Sequence, residues 1–132
     1  MERMIAGAQV LERDGFGPKV YLLADGDILK LFRRKRLLSS ALIRPHSRRF
    51  CDNAIALKRK DIPTVTPLRA FRLDDRTWTA VLYRPLPGRT LSALLRESAA
   101  EWPALVPRLA RFINGLHDEG VYFRSLHLGN IV

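Results

Sequence analysis

VYLLADGDILKLF, Val20 to Phe32, decides the fold. Two apolar runs flank Asp25-Gly26, and both turn residues tolerate a positive φ. The segment therefore reads as two antiparallel strands joined by a tight turn. Side chains alternate along a strand, so Ile28, Lys30 and Phe32 share one face while Leu29 and Leu31 share the other. Lys30 is then a single charge in an otherwise apolar strand.

Outward from this hairpin the chain alternates strands, turns and helices. Toward the N-terminus, Val10-Leu11 and Lys19 to Ala24 read as strands around the turn Asp14-Gly15-Phe16-Gly17. On the other side, RRKRLLSSALIRPH is irregular and basic, and Pro45 marks a break. A helix is predicted over 47–60, with Ser47 as its N-cap and Phe50, Ala54 and Leu57 on one face. DIPTVTP ends it. Strands near Leu68 to Leu73 and Trp78 to Tyr83 follow, joined by Asp74-Asp75. PLPGRT, Pro85 to Thr90, reads as a linker, and LSALLRES as a short helix.

The clearest helix is predicted from Trp102 to Glu119. Trp102, Leu105, Val106, Leu109, Phe112, Ile113 and Leu116 recur at helical spacing, and Gly120 is a C-terminal stop. Pro103 suits its first turn, and Pro107 is predicted to bend it. The fold class is α+β: a five-stranded antiparallel sheet with one helix over residues 1–86, then a helical part over 87–132.

Composition bounds what such a chain does. The length of 132 residues is one domain's worth. No apolar run reaches the roughly 18 residues of a membrane span, and the N-terminus lacks the pattern of a secretory signal. A single cysteine, Cys51, allows no internal disulfide and fits a reducing cytoplasm; it is given no role. The net charge of +10 is concentrated. Between Lys30 and Lys60 stand eleven basic residues and one acid, Asp52, so this window carries the entire excess. Such a segment is either a solvated basic surface or a site for an anionic partner: phosphorylated substrate, acidic lipid or nucleic acid. No nucleic-acid recognition motif is legible, and aromatics do not interleave with the basic run. A specific nucleic-acid partner is therefore not expected.

The last thirteen residues, GVYFRSLHLGNIV, bring a motif to this order. Set beside the catalytic loop H-R-D-L-x-x-x-N, they keep Arg124, Leu126 and Asn130. Phe123 stands at the His position and Ser125 at the Asp position. Five strands with a helix after the third, a hinge, helices and this loop together resemble the protein-kinase-like fold. In particular the chain resembles the bacterial lipopolysaccharide-kinase-like group, which includes the toluene tolerance proteins. ILKLFRRKR, DIPTV, PLPGRTL and RFINGLHDEGVYFRSLHLGNIV carry it, across nearly the whole chain.

The resemblance implies ATP and Mg2+ as cofactors and a phosphoacceptor at the cytoplasmic face of the envelope, such as a core sugar. Lys30 would meet the α- and β-phosphates, with Asp52 as the acid that holds it. The other reading of Lys30 is a strand lysine extending along the surface. Gly15 and Gly17 would belong to a phosphate-covering loop, although the spacing falls short of G-x-G-x-x-G-x-V and a β-turn explains DGFG as well. Leu82 to Pro87 would be the adenine-contacting hinge. Asn130 would ligate magnesium, or simply form a turn. His127 would stand within reach of a transferred phosphate, and His117 would pack or cap a helix end.

Ser125 is the departure. A hydroxyl cannot take the substrate proton as a carboxylate does, a loss typically of 10²–10⁴-fold, and less where positioning dominates. No D-F-G segment follows Asn130, so the helical lobe is expected to be truncated. This chain alone is expected not to transfer phosphate. Three function classes remain: a phosphotransferase with impaired catalysis, a pseudokinase scaffold that binds an anionic partner through residues 30–60, and, behind both, a nucleic-acid binder. A homodimer through the 102–116 helix is also expected, because the apolar stripe needs a cover.

Overall fold

A computed structural model describes residues 2–33, 45–73, 77–124 and 126–132. β1 (Gln9–Asp14), β2 (Gly17–Leu22), β3 (Ile28–Arg33), β4 (Thr66–Arg72) and β5 (Trp78–Arg84) form one antiparallel sheet in the order β1-β2-β3-β5-β4. Helices α1 (Glu2–Ile5), α2 (His46–Lys58), α3 (Leu91–Glu97) and α4 (Trp102–Asp118) complete an α+β chain. It divides into two compact units, Met1–Leu86 and Pro87–Val132.

The central hairpin forms where the sequence places it, with different turn chemistry. The Gly26 N–H donates to the Leu23 carbonyl at 3.0 Å, and the Leu23 N–H to the Asp27 carbonyl at 2.9 Å. Gly26 takes φ +85° while Asp25 stays out of the left-handed region. Asp25 instead uses its carboxylate, which accepts the Asp27 N–H at 3.0 Å. The loop is a β-turn followed by one left-handed glycine, not a two-residue turn with both residues at positive φ.

The register fixes both faces of the sheet. Tyr21, Leu29, Leu31 and Ala80 are buried on one face, with Ile5, Ala8, Phe71 and Trp78 packed against them. On the other face Val20 and Val81 flank Lys30 directly, and α2 covers that side through β3, β4 and β5. Phe50 of α2 lies 6.0 Å from Phe32 and 5.1 Å from Tyr83, ring to ring. Leu29 and Val81, one from each face, are fully buried; each such side chain stabilises the fold by about 1.5–3 kcal/mol relative to exposure.

Helix α2 starts earlier than expected. Pro45 is its N-cap, with φ −55° and ψ 150°, and its carbonyl accepts the Arg49 N–H at 3.0 Å. Ser47 is therefore inside the first turn and buried. Proline serves here because its carbonyl opens the ladder and the N–H it lacks has no partner to lose. At the other end Asp61 takes φ +54° and Ile62 donates to the Leu57 carbonyl, closing the helix two residues before the predicted stop.

In the second unit, Thr90 caps α3 by accepting the Ala93 N–H at 3.2 Å, and Arg89 pairs with Glu97 beside it. Helix α4 runs unbroken through Pro107. It closes at Gly120, φ +71°, with Val121 donating to the Leu116 carbonyl.

Candidate functional site

In the first unit the candidate centre is Lys30. It sits mid-strand on β3, between Val20 of β2 and Val81 of β5, and is half-buried. Its ammonium lies 5.9 Å from the centroid of the Phe32 ring, on the face that α2 covers. The local environment is thus apolar and aromatic around one cation, an arrangement in which a charge is expensive to leave unmatched. Asp52 is half-buried on α2. Its carboxylate also helps burial raise the pKa of the neighbouring Cys51 thiol.

Gly15 and Gly17 frame the turn between β1 and β2. The Phe16 N–H is accepted by the Asp14 carboxylate at 2.9 Å. Gly17 takes φ +112°, so glycine is required there, whereas Gly15 has neither a positive φ nor a close neighbour. The segment is a tight hairpin turn fastened by Asp14, which accounts for Asp14 and Gly17 without any ligand.

One pair at the far end of the same sheet escaped the sequence. Asp27, almost wholly buried, accepts from the Arg84 Nε at 3.2 Å and ties the β2–β3 turn to the end of β5. The partners stand 57 positions apart, and only the register of β3 against β5 brings them together.

In the second unit His127 and Asn130 belong to one short 3-10 turn, Leu128–Asn130. The His127 Nδ1 accepts the Gly129 N–H at 3.1 Å, and its carbonyl accepts the Asn130 N–H at 2.8 Å. His127 thus acts as the cap of the turn that carries Asn130, leaving its Nε2 as the ring's remaining polar atom. The turn is tied to α3 by the Leu91 N–H, which donates to the Ile131 carbonyl at 2.8 Å. His117 stacks on Tyr122 with centroids 5.0 Å apart, packing the end of α4. Ser125 lies outside the described residues.

The implied cofactors fit unequally. Lys30, a half-buried lysine whose ammonium lies near one aromatic ring, is a fitting partner for a phosphate. Asn130 offers a single neutral oxygen, and among the described residues no three His, Cys, Asp or Glu side chains come together. Magnesium is ordinarily bound through one or two carboxylates besides phosphate, so the described residues do not fit it. Compared with protein-family models, curated proteins and solved structures, the chain matches none. Among the described residues no helix is long and apolar enough to cross a membrane.

Proposed function

We propose that this chain is a kinase-like nucleotide-binding protein related to the lipopolysaccharide-kinase-like group, with phosphoryl transfer impaired. The observation that carries the reading is Lys30: one cation at the middle of the central strand, on the helix-covered face of a five-stranded antiparallel sheet. Lys30 binds the nucleotide phosphates as a point charge. His127 holds the turn that presents Asn130. Ser125, at the position of the general base, leaves the acceptor proton without a carboxylate to receive it.

The test is equilibrium binding of a fluorescent ATP analogue to the full 132-residue chain and to its Lys30→Met variant, alongside ATP turnover. Binding is expected, weakened about ten-fold or more in the variant because a charged hydrogen bond is lost. Turnover is expected to be no faster than the variant's. Unchanged affinity in Lys30→Met overturns the role of Lys30, and turnover above the variant overturns impaired catalysis. No affinity for nucleotide at all leaves the second reading, a non-catalytic scaffold. The basic residues between Lys30 and Lys60 favour that reading, since they suit an anionic partner or the inner surface of the envelope.

A further inference from the structure

The sheet face opposite Lys30 carries cations and aromatic rings in alternation. Arg33 and Trp78 are directly paired across β3 and β5. They project on the side of Leu31 and Ala80, where Trp78 packs on the core. The Arg33 guanidinium carbon lies 3.9 Å from the centroid of Phe16 and 5.9 Å from that of Trp78. Phe71 pairs with Ala80 and is therefore diagonal to Trp78. Beside it on β4, Arg69 stands 5.6 Å from the Phe71 ring. Phe16, Arg33, Trp78, Phe71 and Arg69 thus come from the β1–β2 turn and three strands to one surface. In sequence these residues are scattered, and the absence of interleaving there hid the pattern.

Packing accounts for Trp78 and Phe71, which bury against Leu31 and its neighbours. It does not account for Phe16, which is 66% exposed at a turn where a polar residue would serve as well. Cation–π pairs of this kind occur about once per 70–80 residues, whereas one face of the Met1–Leu86 unit holds three. A guanidinium stacked on a ring uses its flat face and keeps its N–H donors at the edge. Among the described residues neither Arg33 nor Arg69 spends those donors in an ion pair.

A ligand that uses both features has planar rings joined by phosphates and its ring faces open. We propose that this face binds single-stranded nucleic acid without sequence preference. Bases stack on Phe16 and Arg33, and phosphates meet the edges of Arg33 and Arg69. Duplexes are disfavoured because their base faces are already stacked on one another. The overall charge of +10 supplies the long-range attraction.

Fluorescence anisotropy with labelled oligothymidylate tests this, against a duplex of equal length, inorganic polyphosphate and phosphatidylglycerol vesicles at one salt concentration. The single strand is expected to bind tightest. Phe16→Ala and Arg33→Lys are each expected to weaken it about ten-fold while leaving the circular-dichroism melt in place. Arg72→Ala, which removes an exposed charge from the other face of β4, is expected to change it about two-fold at most, the effect of one charge that points away from this surface. No binding, equal affinity for polyphosphate or duplex, a preference for the vesicles, or indifference to Phe16→Ala each overturns the proposal.

Discussion

At the scale of single residues, Tyr83 sets an alkaline limit on this fold. Its side chain is buried against Phe50, and its pKa is raised, chiefly by that burial and secondarily by the charge of Glu12. The phenolate is therefore disfavoured in the folded chain. As pH rises, the unfolded chain ionises first, near pH 10, and thereafter holds fewer protons than the folded one. Stability from Tyr83 is complete below about pH 10 and is lost as pH climbs through the higher folded value. Lys19, whose pKa is raised by its hydrogen bond to Glu12, has the same sign, but that pair is too exposed to matter much. Tyr83→Phe should melt at nearly the same temperature near neutral pH and lose less of its melting temperature above about pH 10. Parallel pH profiles for the two proteins would show that ionisation of this ring is not what limits the fold.

At the scale of elements, the informative place is the end of α2. Asp61 occupies the left-handed region, φ +54°, where an L side chain costs energy and glycine does not. Lys58 and Leu57 accept the N–H groups of Asp61 and Ile62 there, so the conformation is held by the helix stop itself. Asp61→Gly should stabilise the first unit by about 0.5–1 kcal/mol, part of the left-handed penalty remaining offset by glycine's greater freedom when unfolded. That corresponds to a rise of roughly 2–8 °C in melting temperature, read by calorimetry. A fall would mean that the aspartate side chain contributes more than its backbone strain costs.

At the scale of the whole molecule, α4 bears on self-association. Leu116 is buried and Trp102, Leu105, Leu109 and Ile113 are half-buried, while Val106 and Phe112 remain about 40% exposed. Tyr122 and Phe123 add exposed aromatic surface just beyond the helix. We expect a symmetric dimer through this stripe, since a two-fold contact closes on itself and covers apolar area worth about 25 cal/mol per Å². Sedimentation equilibrium at micromolar concentration should give twice the chain mass, and Phe112→Glu should return the monomer. A monomeric parent that binds no hydrophobic dye would show the stripe already covered.

Local chemistry was legible in the sequence because it depends on neighbours a few positions apart. The strand hairpin around Asp25-Gly26, the alternation that sets Lys30 against Leu29 and Leu31, and the stop at Gly120 are all of that kind. Ser47 has the residue type of a cap, but Pro45, two positions earlier, performs that role through the backbone alone. His127 could be found as a motif residue, but its service as a turn cap rests on a 3.1 Å contact that no spacing announces. What only the tertiary structure decided is which distant residues meet. Strand register places Arg84 on Asp27, and Arg33 between Phe16 and Trp78. Register is a property of the assembled sheet: each strand's pattern says which residues share a face, and pairing with its neighbours decides whom that face adjoins.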